Sequence, residues 1–324
     1  MSAAKAQWWE VTVTCPAELE DSVYWHFEQL GSKGTASQKA GNPSEPVANC
    51  TVTAYFLETP LKAQAQLSDF EALKASLRGL TSEFVGESLQ PASQPVSQPA
   101  SQPAFVTVSW RLIAEEDWAK SWKTHWKTEE IGQKLLINPA WIKPPATDRT
   151  ILTLDPGSAF GTGGHATTQL CLKALEKQSL QGAIIADIGC GSGILSIVAL
   201  LYGAEQAYAV DVDPLAIRAT RDNADLNKIS PDQLEVQLGS LPEAITLAFG
   251  PVDGIVCNIL AEIIVEQIIP HLSKLAGPHT WGILSGILTA KAAWVEEHLV
   301  THGWQVSEIT HQDEWCAIAI QRAS

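Results

Sequence analysis

The chain of 324 residues has no apolar run approaching the ~20 residues that a bilayer-spanning helix needs. Its first residues, M-S-A-A-K-A-Q-W-W-E, carry no apolar core of the length a signal peptide uses. These absences lead to the expectation of a cytoplasmic chain without a membrane partner. Basic residues are also scarce, with 21 Lys and Arg against 36 Asp and Glu and a net charge of −15. An acidic chain repels phosphate backbones, so direct nucleic-acid binding is not expected, whereas a basic protein or peptide would be attracted. The six cysteines (Cys15, Cys50, Cys171, Cys190, Cys257, Cys316) include no C-x-x-C pair and no cysteine–histidine cluster at metal-ligand spacing. Reduced, buried thiols and no metal are expected. No nucleophilic triad is visible either.

What is present centres on Ala183 to Pro214, A-I-I-A-D-I-G-C-G-S-G-I-L-S-I-V-A-L-L-Y-G-A-E-Q-A-Y-A-V-D-V-D-P. An apolar run enters a turn with Gly189, Gly191 and Gly193, an apolar helix leaves it, and a second strand ends on Asp211. Residues without Cβ can take positive φ and let a ligand lie against the main chain. Ile194, Leu195, Ile197, Val198 and Leu201 recur at helical spacing, so one face of this helix is expected on a sheet. Asp211, 22 positions after Gly189, stands where a carboxylate can accept hydrogen bonds from a ribose diol. A dinucleotide fingerprint needs G-x-G-x-x-G. Here the glycines run G-x-G-x-G with no basic residue nearby, which favours an uncharged or cationic nucleoside over the dinucleotide of an oxidoreductase. The pattern resembles the cofactor site of S-adenosylmethionine methyltransferases, against the alternatives of an NAD-dependent oxidoreductase or a glycine-rich packing turn.

Upstream, Trp8–Thr14, Asn49–Leu57 and Phe105–Leu112 read as strands, and Glu18–Leu30 and Ala63–Leu77 as helices. Together they suggest a small α+β module of the β-α-β-β-α-β kind. A four-residue S-Q-P-x repeat occupies Ser88–Ala104. Its prolines remove backbone donors and its serines and glutamines cannot build a core, so it reads as a flexible insertion. Trp118, Trp122 and Trp126 form an i, i+4, i+8 stripe that would pack a connecting helix. Ile151 to Thr168, I-L-T-L-D-P-G-S-A-F-G-T-G-G-H-A-T-T, is a glycine-rich loop ahead of an apolar helix. Thr167 and Thr168 are its expected caps, and either hydroxyl could instead reach a ligand's carboxylate. Val252–Ile259 reads as a buried strand ending on Asn258. Asp211 and Asp213 are expected on one side of a strand, with Asp213 capping the next helix.

D-P-G-x-A-F-G-T-G-x-H-x-T-T, D-I-G-C-G-S-G-I-L-S-I, D-V-D-P-L-A-I-R-A-T-R-D-N-A, C-N-I-L-A and I-L-S-G-I-L, in that order, closely resemble the PrmA family, methyltransferases of large-ribosomal-subunit protein eleven. D-W-A-K-S-W-K and I-N-P-A-W extend the resemblance. It implies an α/β protein: a Rossmann-like seven-stranded methyltransferase domain (129–324), preceded by a ferredoxin-like substrate-recognition domain (1–112, with the insertion at 88–104) and a linker helix (113–128). It implies S-adenosyl-L-methionine as cofactor, lysine ε-amino and N-terminal α-amino groups of that ribosomal protein as acceptors, and a monomer. Carried over by motif, the cofactor positions are Thr168, Gly189, Asp211 and Asn258. Asn258 is also expected to position the amine. His165 is a candidate proton acceptor or loop anchor. Gly164 departs from the family's usual threonine.

Overall fold

The computed structural model describes residues 7–16, 19–32, 35–40, 49–58, 66–77, 106–114, 126–155 and 163–322. The chain divides into two units, Met1–Trp126 and Lys127–Ser324. The S-Q-P repeat, the tryptophans at 118 and 122, and most of D-P-G-S-A-F-G-T lie outside the described residues.

In the first unit, strands β1 (Gln7–Pro16), β2 (Thr35–Ala40), β3 (Asn49–Leu57) and β4 (Thr107–Ala114) form one antiparallel sheet in the order β2-β3-β1-β4. A helix, Glu20–Gln29, follows β1, and residues 66–77 are helical between β3 and β4. Alternation in β1 sends Val11, Val13 and Cys15 into a core with Phe27, Val52, Phe56 and Phe70, while Thr12 and Thr14 face the other way. β2, T-A-S-Q-K-A, carries no apolar alternation, and only its pairing with β3 reveals it.

The second unit begins with a three-stranded sheet, β5 (Glu129–Ile131), β6 (Leu135–Pro139) and β7 (Thr150–Leu154), which was not anticipated from sequence. The main sheet contains β8 (Ile184–Ile188), β9 (Gln206–Asp211), β10 (Leu234–Leu238), β11 (Val252–Asn258), β12 (Ala276–Leu288), β13 (Trp304–Gln312) and β14 (Trp315–Arg322). Its order is β10-β9-β8-β11-β12-β14-β13. The first five strands in that order run parallel, and β14 joins β12 and β13 antiparallel. Helices at Ile194–Leu201, Pro214–Leu226 and Leu241–Ala248 connect the first strands. Strands buried on both faces read as apolar runs, which is why β8 and β11 were legible.

Chain order reverses between β8 and β11: β8, β9 and β10 are laid down in one direction and β11 and β12 in the other. An open α/β sheet has its ligand crevice at the carboxyl ends of the strands flanking such a point. Those ends are Ile188, which leads into Gly189, and Asn258.

Candidate functional site

Gly189, Gly191 and Gly193 all take positive φ, at 76°, 54° and 79°, so the turn after β8 could not be built from ordinary residues without strain. A Cβ on Gly189 would also collide with the side chain of Ile259. The turn closes through Gly193 N donating to Cys190 O at 2.8 Å, and Gly189 N and Cys190 N both donate to Val210 O. The helix Ile194–Leu201 then starts on Gly193, which has no side chain with which to cap it. Asp187, at the end of β8, supplies the missing acceptor. Its Oδ2 takes bonds from Ser196 N at 3.1 Å and Ser196 Oγ at 2.6 Å, and Ser196 N is one of the orphan first-turn donors. Every residue from Ile194 to Leu200 is buried. The one-faced helix expected from spacing is therefore wrapped on all sides.

Asp187 is completely buried, and its other oxygen, Oδ1, has no hydrogen-bond partner among the described residues. Its carboxyl is pushed up to about 7: burial drives the rise, the Ser196 bonds oppose it, and the charge of Asp211 adds to it. Sequence reasoning missed this residue, although an acid inside an apolar strand was the available signal.

Asp211 ends β9 and is held by the main chain: Gly191 N donates to Oδ2 at 2.8 Å and Asp213 N to Oδ1 at 2.9 Å. Each carboxylate oxygen keeps a second acceptor direction. Asp213 does not sit beside Asp211 on a strand. The chain has already turned, and Asp213 Oδ1 caps the helix Pro214–Leu226 by accepting from Leu215 N at 2.8 Å. From that helix, Thr220 Oγ1 donates to Gly191 O at 2.9 Å and Asn223 Nδ2 to Ser192 O at 3.0 Å. Asn223 Oδ1 accepts from Asp155 N at 2.9 Å, joining the glycine turn to the chain just past β7. Neither residue was singled out from sequence. Both are polar members of an otherwise apolar buried stripe, Ala216, Ile217, Thr220, Asn223 and Ala224.

The helix Ala166–Leu175 brings the remaining groups. Its N-cap is His165, not Thr167 or Thr168 as expected: the ring Nδ1 accepts from Thr167 N at 3.4 Å and lies 2.8 Å from Thr167 Oγ1. The His165 ring also meets Trp315 edge-on, with centroids 5.3 Å apart. The threonines sit inside the first turn, buried, which frees Thr168 for a neighbour across the crevice. Asn258 Nδ2 donates to Thr168 Oγ1 at 3.4 Å. Among the described residues, a Cβ built on Gly164 meets nothing within 4 Å, so the departure from threonine there opens no packed contact with them.

One residue beyond Thr168, Gln169 starts a chain of amides. Gln169 Nε2 donates to Glu129 Oε1, Gln312 Nε2 to Gln169 Oε1, and Lys173 Nζ to Gln312 Oε1, each at 2.8 Å. Burial pushes the Glu129 carboxyl up, and Lys173 opposes this. The chain ties the first turns of the helix to β5 and β13.

Asn258 is backed by Gly286, at φ 80° in β12, where a Cβ would collide with the carbonyl of Ile259. Two glycines, one on each side, thus let the N-I-L-A segment lie between β8 and β12. Gly189 and Asn258 end adjacent strands, Thr168 bonds to Asn258, and Asp211 bonds to the glycine turn, so the four carried-over positions converge on one crevice. Among the described residues no cluster of His, Cys, Asp or Glu could hold a metal, and no helix is long and apolar enough to cross a membrane.

A family model described as "Ribosomal protein L11 methyltransferase (PrmA)" matches residues 7–323. Curated relatives bearing the name ribosomal protein L11 methyltransferase include one from a Cyanothece species, 41% identical over 98% of this chain and 99% of its own. Another, from Thermosynechococcus vestitus, is 43% identical over 96% of each. A solved structure, a ribosomal protein L11 methylase from Lactobacillus delbrueckii subsp. bulgaricus, superposes with a TM-score of 0.56 at 33% identity, covering 61% of this chain and 100% of that one.

Proposed function

Because the chain belongs to the ribosomal protein L11 methyltransferase family, we propose that it transfers methyl groups from S-adenosyl-L-methionine to lysine ε-amino and N-terminal α-amino groups of large-ribosomal-subunit protein eleven. The observation that carries the reading is the convergence of Gly189, Asp211, Thr168 and Asn258 at the point where the sheet changes direction. The residues fit the cofactor. The glycine turn leaves its main chain open to a ligand, Asp211 retains acceptor capacity for a ribose diol, and the orphaned Asp187 Oδ1 is an acceptor suited to an ammonium. No basic side chain was found in the motif for a pyrophosphate.

When bound, S-adenosylmethionine supplies an electrophilic methyl group on a sulfonium. Asp211 would hold the ribose hydroxyls, Gly189 would let the main chain approach, Asp187 would accept from the amino-acid ammonium, and Thr168 would contact the carboxylate. Asn258 spends its Nδ2 on Thr168, which leaves Oδ1 to accept from the substrate amine and aim the nitrogen lone pair. A lysine with pKa ~10.4 arrives protonated and an α-amine near ~8 partly so. The crevice must therefore favour the neutral amine by desolvation or by proton transfer. His165, three residues before Thr168, serves this helix as its anchor: Nδ1 accepts from Thr167 N, so the neutral ring carries its hydrogen on Nε2, which leaves no lone pair there to take the amine proton.

The β-α-β-β-α-β path of the first unit is a ferredoxin-like arrangement, and we assign it substrate recognition. The reading makes the enzyme a cytoplasmic monomer that needs no contact with nucleic acid. Intact-mass spectrometry of purified protein eleven, incubated with this protein and S-adenosylmethionine, tests the proposal. A ladder of methyl increments is expected. An unmodified product in the presence of demonstrable cofactor binding would reject the substrate.

A further inference from the structure

Cys15 of β1 and Cys50 of β3 stand directly opposite each other in an antiparallel register. Their Sγ atoms are 3.4 Å apart, and both residues are fully buried. The next pairs on the same face, Val13 with Val52 and Val11 with Ala54, are hydrocarbon. Directly opposed residues of antiparallel strands have Cα separations of about 4.5–5.5 Å, inside the range disulfides span. The side chains share a face and the sulfurs already touch, so a bond requires the sulfurs to close by only about 1.4 Å. The pair lies one residue from the ends of the ladder at Pro16 and Asn49, where local opening is least costly and admits a small reagent.

We infer that Cys15 and Cys50 are a redox modification site, a dithiol that a low-molecular-weight disulfide oxidises to a cross-strand bridge. The thiolate of one cysteine attacks the small disulfide, forms a mixed disulfide and expels one small thiolate. The second cysteine's thiolate then attacks the protein sulfur of that mixed disulfide and expels the other. The protein loses two protons and two electrons, and the oxidant leaves as two small thiols. The other four cysteines lie in the second unit, where burial pushes Cys171 up to about 12, Cys316 up to about 11, and Cys190 and Cys257 well up. Burial disfavours the thiolate in all six cysteines alike, so what singles out Cys15 and Cys50 is their direct opposition on one face with the sulfurs in contact.

The test exposes the full-length protein to oxidised glutathione, alkylates it under denaturing conditions and maps the peptides. Four alkylated cysteines instead of six, a mass lower by two hydrogen atoms before alkylation, and a Cys15–Cys50 cross-linked peptide are expected, all reversed by dithiothreitol. Single variants Cys15→Ser and Cys50→Ser should form no bridge, and the map of the unaltered protein decides the matter if either fails to fold. Six alkylated cysteines, a stable glutathione adduct without a bridge, or a bridge between another pair would overturn the inference.

Discussion

At the scale of the residue, Asp187 and Asn258 make separable contributions. The native Asp187 carboxyl holds its proton up to about pH 7 against an ordinary value of 3.8. Between those values the native state binds more protons than the unfolded chain, so stability falls as pH rises through that window. Asp187→Asn should flatten this dependence, read from thermal midpoints across pH. An ammonium beside Oδ1 favours the ionised form, so affinity for S-adenosylmethionine should rise with pH through about 7 in the unaltered protein. It should not do so in the variant, as titration calorimetry would show. Asn258→Ala removes the acceptor for the amine, and misplacement of a reacting nitrogen costs on the order of 10²-fold in rate. The expected signature in steady-state kinetics is a loss in kcat that exceeds any rise in KM. Asp211, Gly189 and Asn258 were legible as single letters because each ends an apolar run. Asp187, Thr220 and Asn223 were not: Thr220 and Asn223 bond main-chain atoms far away in sequence, while Asp187 bonds Ser196 and its Oδ1 has no partner among the described residues.

At the scale of the element, the glycine turn is the part least tolerant of change. Gly189→Ala places a side chain at φ 76° and against Ile259. The left-handed conformation alone costs about 1–2 kcal/mol. We expect a lowered thermal midpoint together with a loss of cofactor affinity, since the turn must shift to make room. Asn223→Ala removes the amide that bonds Ser192 O and Asp155 N, and a typical intramolecular hydrogen bond is worth roughly 0.5–1.5 kcal/mol. A comparable drop in denaturant-unfolding stability is expected. β8 and β11 could be read from sequence because burial on both faces makes them largely continuous apolar runs. β5 and β2 could not, since the first has three residues and the second is T-A-S-Q-K-A. The caps of the helix Ala166–Leu175 were misplaced by two and three residues. Both threonines have capping chemistry, but the preceding histidine ring reaches the first-turn N–H of Thr167 and leaves the threonines inside.

At the scale of the whole molecule, a methyltransferase unit with its crevice between β8 and β11 follows a separate antiparallel unit. The motifs made the first part readable: they name the ends of the strands that flank the switch point, and topology then brings those ends together. The order of the strands, and so the adjacency of Gly189 and Asn258, comes only from pairing over long separations. The proposed activity requires this crevice to be the cofactor site. Titration calorimetry of S-adenosylmethionine into the unaltered protein and into Asp211→Ala tests it most directly. Saturable one-to-one binding is predicted for the first, with at least about a tenfold weaker affinity in the variant, or about 1.4 kcal/mol, while circular dichroism shows both folded. Equal affinity in the two folded proteins would place the cofactor elsewhere and contradict the account.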